Sequence, residues 1–160
     1  MKKTIGVLML VLIAFTGYSQ DFEALPDMGF ETKEDYKNHE AEVQECANYI
    51  LNQNVVDNEL NRLTCTAFMM DWMEGTPDYT FSIGSEFMDY CKGQIALQNV
   101  YMASLVKVAL DGEPGADPQQ ISDNAREIFL DYCADENNKV KKNRAIKKAL
   151  KAREEANNAE

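Results

Sequence analysis

The side chains with most chemical potential in this sequence are carboxylates, and they gather at two turns. Asp71, Glu74 and Asp78 flank Gly75-Thr76-Pro77, and Asp111, Glu113 and Asp117 flank a second loop, Gly112 to Ala116. Paired carboxylates can cleave a glycosidic bond by acid and base catalysis, or hold calcium. Neither cluster follows the D-x-[DN]-x-[DN]-G spacing of a calcium loop. A helical chain of 160 residues also leaves little room for a sugar cleft. Helix capping and solvation are the readings these residues favour, so a hydrolase using Asp71, Glu74 or Asp78 ranks last. His39 is the only imidazole and would have to serve any Ser-His or Cys-His pair. No nucleophile elbow or cysteine-protease signature accompanies it, and it reads as a half-buried or surface helical residue. Met69, Met70, Met73, Met88 and Met102 could offer thioethers to Cu(I). At helical spacing among Leu, Phe and Trp, methionine is more often core filler. The sequence thus predicts no enzyme, with no catalytic residue, metal or cofactor.

The element that must position the first cluster runs from Leu60 to Ile83. It carries the sole tryptophan, Trp72, and three methionines. Leu60, Leu63, Ala67, Phe68, Met70, Trp72 and Met73 predict a helix beginning at an Asp57 or Asn58 cap and ending near Glu74. Thr76-Pro77-Asp78 turns the chain into a run where Tyr79, Phe81 and Ile83 alternate with polar residues. With no second strand-like run, this stretch is expected to lie across helices. Aromatic side chains often line ligand grooves. The candidate binding surface is therefore Trp72, Thr76, Asp78 and Tyr79, with an exposed apolar patch expected near Tyr79.

Residues 1–19 read as a secretory signal. Lys2 and Lys3 precede an apolar run from Ile5 to Phe15, and Gly17 and Ser19 supply small residues at a cleavage site. Cleavage between Ser19 and Gln20 predicts a periplasmic or secreted protein, expected to be soluble because no later run is long enough to span a membrane. Losing Lys2 and Lys3 takes the formal charge from −11 to −13. A field of that sign disfavours nucleic acid and anionic lipid as partners. An unknown protein or small ligand remains. The lysine-rich end, from Lys139, reads as a solvated helix face, or one that pairs with the acidic first helix.

Cys46, Cys65, Cys91 and Cys133 all follow the signal, and an even number in an oxidising compartment predicts two disulfides. No CxxC occurs, and one histidine with widely spaced cysteines does not make a zinc site. Thr32 with Asp35 begins a first helix over 33–52. Across a hairpin with the second helix, Cys46 and Cys65 reach similar heights, which favours that pairing and leaves Cys91 with Cys133. Ser85 caps a helical region over 86–110 containing Gly93 as a kink or break. Asp117-Pro118 starts a fourth helix, which ends near Cys133. Residues 139–158 have helix propensity but few apolar positions, so they form a docked helix or a tail. The fold class is all-α, a single-domain bundle of about five helices with one short extended segment. Its parts are the signal (1–19), a leader (20–31), a helical core (32–138) and a basic helix or tail (139–160).

The segments ANYILNQ, NELNRLTCTAFMMDWMEGTPDYTFSI and QNVYMASLVKVAL, taken with the YSQD signal ending, resemble a family of small exported helical proteins of Bacteroidota-type bacteria that has no assigned activity. The resemblance covers about residues 40–133 and rests on the block from Trp72 to Phe81. A weaker likeness joins the chain to small disulfide-bonded periplasmic helical proteins, namely acid-stress chaperones and toxin-immunity proteins. It implies a chaperone-like or immunity-like alternative to a plain binding role. Neither likeness supplies functional residues.

Overall fold

The indole of Trp72 is fully buried, and its Nε1–H donates to the carbonyl of Tyr36 at 3.0 Å. In an unbroken helix that carbonyl would accept from Glu40. The predicted first helix is accordingly split at His39 into α1 (Lys33–Asn38) and α2 (Glu40–Asn52). The computed structural model describes Phe22, residues 24–56 and residues 59–158. The signal segment and the Asp57 and Asn58 caps lie outside the described residues.

Five further α-helices follow: α3 (Glu59–Gly75), α4 (Ser85–Tyr90), α5 (Ile95–Asp111), α6 (Pro118–Ala134) and α7 (Arg144–Asn157). The described residues therefore contain seven α-helices, not five, with short 3-10 turns at Leu25–Asp27 and Glu136–Asn138. Gly93 explains part of the difference. It takes φ +71°, a left-handed conformation that suits glycine, and divides the predicted region over 86–110 into α4 and α5. Thr32 and Asp35 form the reciprocal capping box on α1, and Asp117 caps α6 through the Gln119 N–H at 3.0 Å. Ser85 is the first residue of α4 and Gly84 its N-cap.

The central element is α5, which packs against α2, α3 and α6. Every residue from Asn99 to Val106 is buried, Asn99 and Ser104 included, so this stretch is enclosed on all sides. Its Tyr101 meets Phe87 and Phe129 at ring separations of 5.2 Å, which ties α4 and α6 to it. Between α2 and α3 the connection is held by hydrogen bonds. Arg62 Nη2 donates to the carbonyls of Gln53 (3.3 Å) and Asn54 (2.8 Å), and the Tyr132 hydroxyl also donates to Gln53 (2.6 Å). A buried guanidinium thereby serves the carbonyl end of α2.

The last helix docks. Asn143 caps α7 through the Ile146 N–H, and its Nδ2 donates to the carbonyls of Asp89 and Tyr90. Ile146 is fully buried, and Arg153 pairs with Asp131 at 2.7 Å and with Glu127 at 3.6 Å. The basic helix therefore pairs with α6, and no ion pair among the described residues joins it to the acidic first helix. No helix among the described residues is long and apolar enough to cross a membrane.

The expected disulfides are not formed in this structure, where Cys46, Cys65, Cys91 and Cys133 are all buried thiols. Cysteine packs here as a small apolar residue between helices. Cys46 and Cys65 meet through a side-chain hydrogen bond between α2 and α3, which raises the Cys46 thiol above its ordinary range. Burial, with the neighbouring Cys133, pushes Cys91 up to about 12. Cys133 is likewise pushed up to about 12, by burial.

Candidate functional site

The residues nominated from sequence lie mostly beneath the surface. Trp72 is fully buried, Tyr79 nearly so, and Thr76 and Asp78 are half-buried. Tyr79 and Phe81 cover the indole at ring separations of 5.5 and 6.0 Å, while the Asp78 carbonyl accepts from Gly115 N at 2.9 Å. The extended run has no strand partner among the described residues and packs on Trp72 of α3. Burial and the charge of Glu40 raise the Tyr79 hydroxyl, and burial and Asp78 raise the Glu40 carboxyl. Together these features make a sealed corner.

The first carboxylate cluster is divided. The charge of Asp78 acts on Glu40, whereas Asp71 and Glu74 line an open cavity of about 430 Å³ with Met28, Phe30 and Tyr36. A second cavity of about 370 Å³ adjoins it, lined by Leu25, Met28, Thr64, Ala67, Phe68 and Asp71. The two share Met28 and Asp71 and make one groove between the leader and α3. Aromatic rings underlie it: Phe30 stacks on Tyr36 (5.0 Å) and packs against Phe68 (5.0 Å), with His39 edge-on to Phe30 and Phe68. Gly75 sits under Tyr36, where a Cβ would overlap the phenol.

Beside the groove runs an apolar stripe. Leu60 is 73% and Leu63 58% exposed, and Val56 precedes them at 57%. Positions 60, 63, 67, 71 and 74 share one helix face, since residues three and four apart are neighbours. The apolar surface of α3 therefore lies toward its start and not near Tyr79, although Ile83 is also exposed. Asp71 and Glu74 have no ion pair or side-chain hydrogen bond among the described residues, and no Lys or Arg lines either cavity.

Two members of the second carboxylate cluster have structural partners. Asp111 accepts from Lys107 (2.9 Å) and Gln44 (2.6 Å), and Asp117 is the α6 cap. The methionines are dispersed, with Met69 and Met102 buried, Met70 and Met73 packed against the core, and Met88 exposed. No three His, Cys, Asp or Glu side chains among the described residues converge as metal ligands. Cations gather elsewhere, around the start of α7. Lys92, Arg144 and Lys148 line a cavity of about 440 Å³ there. Comparison of the chain with protein-family models, curated proteins and solved structures returns no match.

Proposed function

We propose that this chain is a non-enzymatic binding protein of the periplasm or the extracellular space, which receives a protein or small ligand on the outer face of α3. The observation that carries this reading is a groove with aromatic rings beneath it, on the same face of α3 as exposed Leu60 and Leu63. Apolar side chains scattered singly are normal, whereas a contiguous set beside a cavity marks a surface that another molecule covers. Export is proposed from the signal segment and fits the resemblance to small exported helical proteins. In that compartment the Cys46–Cys65 and Cys91–Cys133 pairs would close as disulfides, each losing two electrons and two protons to a disulfide oxidant. A chaperone-like or immunity-like role is the second reading, favoured by the same exposed leucines on a chain of formal charge −11.

Two measurements test these proposals. Nile red, a neutral apolar dye, should brighten with the native protein and much less with Leu60→Ser/Leu63→Ser. Equal brightening by both would reject the outer face of α3 as the binding surface. Intact mass of the exported protein should correspond to a chain beginning at Gln20 and lighter by the four hydrogens of two disulfides. Free thiols would overturn the disulfide proposal.

A further inference from the structure

We infer that the partner seated along α3 is a cationic amphipathic helix. The inference rests on the binding reading above and adds the partner's chemistry. The stripe and groove together run from Leu60 to Gly75, roughly 22 Å at the rise of an α-helix. A partner of about four helical turns matches that length. A helix face with exposed leucines at one end and carboxylates at the other takes an amphipathic helix through anchors three and four residues apart.

Charge selects among such helices. At the Gly75 end the groove carries Asp71 and Glu74, both exposed and without ionic partners among the described residues. Some other carboxylates of the chain have such partners: Glu86 meets Arg126, Asp111 meets Lys107, Glu155 meets Lys151, and Glu127 and Asp131 meet Arg153. Lys or Arg side chains on a docked helix would supply the missing cations at that end. Their aliphatic stems would cover Met28 and Phe30. Leu, Ile or Phe side chains would cover Leu60, Leu63 and Ala67 at the other end. An anionic helix meets two carboxylates with no compensating cation. Like charges in contact suppress such partners.

The experiment is a titration of the purified protein with two synthetic amphipathic helices of about 15 residues, one built from Leu and Lys and the other from Leu and Glu. The Leu/Lys peptide should bind at least about ten-fold tighter than the Leu/Glu peptide, and its affinity should fall as salt rises. Asp71→Lys/Glu74→Lys should weaken the Leu/Lys peptide about ten-fold, since each exposed pair contributes modestly and reversal turns attraction into repulsion. Glu45→Lys/Glu154→Lys makes the same change in net charge at exposed positions outside the groove, and should weaken it far less. Circular dichroism of each variant confirms that the fold is retained. Equal weakening by the two double variants overturns the inference, because attraction to the whole acidic surface would then explain the binding. Equal affinity for both peptides, with dependence on Leu60 and Leu63 retained, overturns the charge selection alone and leaves the binding reading standing. Failure of both peptides and of Nile red sinks the binding reading itself.

Discussion

The two faces of α3 carry similar side chains and have opposite fates. Cys65, Phe68, Met69 and Trp72 face inward and are buried, whereas Leu60, Leu63 and Ala67 face outward and are exposed. Composition does not distinguish the two sets. What separates them is geometry: α2 and α5 cover one side of the helix, while the leader covers only the margin of the other. Apolar content in a helix therefore identifies a core only where the apolar arc is narrow enough for its neighbours to cover. A helix apolar on several sides in a surface position leaves a face for something else.

The sharpest way to break this contrast is to shorten one residue on each face. Trp72→Ala should cost roughly 3–5 kcal/mol, because it opens a cavity in a closed site and leaves the Tyr36 carbonyl without its donor. Leu63→Ala should fall within about 0.5 kcal/mol of the native protein, as exposed substitutions usually do. Urea unfolding of the two variants measures both. A Leu63→Ala cost comparable to that of Trp72→Ala would mean that the outer face is packed, and the groove reading would fall with it.

Gly75→Ala probes the junction of the two faces. The added methyl would overlap the Tyr36 ring, so either the ring or the end of α3 must move. Overpacking of this kind costs about 1–3 kcal/mol. Because Tyr36 walls the groove and its carbonyl takes the indole hydrogen bond, the variant should lose stability and reshape the groove together. The near-ultraviolet circular dichroism of Trp72 and the stability curve should both change. Unchanged values would show that Tyr36 yields freely, and that the groove's wall is softer than its packing implies.

Much of the local structure was legible in the sequence. Thr32, Asp117-Pro118, Gly93 and the Thr76-Pro77-Asp78 turn mark ends and breaks by chemistry that acts within a few residues. The split at His39 was not legible, because it goes with the Trp72 indole donating to the carbonyl of Tyr36, 36 residues earlier in the chain. Nor was the role of Arg62, which looks like a solvated cation on a helix until α2 ends beside it. The candidate site was displaced from its predicted position for a related reason. Trp72 and Tyr79 are aromatic and therefore conspicuous, but they bury each other. Leu60, Leu63 and Ala67 enter the same helical pattern as Trp72 although they lie on the face opposite Trp72 and Cys65. The apolar arc of α3 is too wide for one side of a helix. Phe30 and Met28 carried no signal, because a leader without periodicity does not say which helix it will lie on.

The smallest effect tests the sealed corner. Burial first, and then the charge of Asp78, raise the Glu40 carboxyl above its ordinary value of 4.5. A carboxyl with a raised folded-state pKa binds protons more tightly when folded. Its stabilising contribution is present at low pH and is lost as pH rises from about 4.5 through the folded value. Asp78→Asn removes one of the two causes. The Glu40 carboxyl, followed by NMR titration, should then move down toward 4.5 without reaching it, because burial remains. The fall in stability across that window should become shallower. If Glu40 titrates at its ordinary value with Asp78 present, the turn after α3 stands away from α2. Tyr79 would then have no acidic lid, and the difference between a closed inner face and an open outer one would be one of degree.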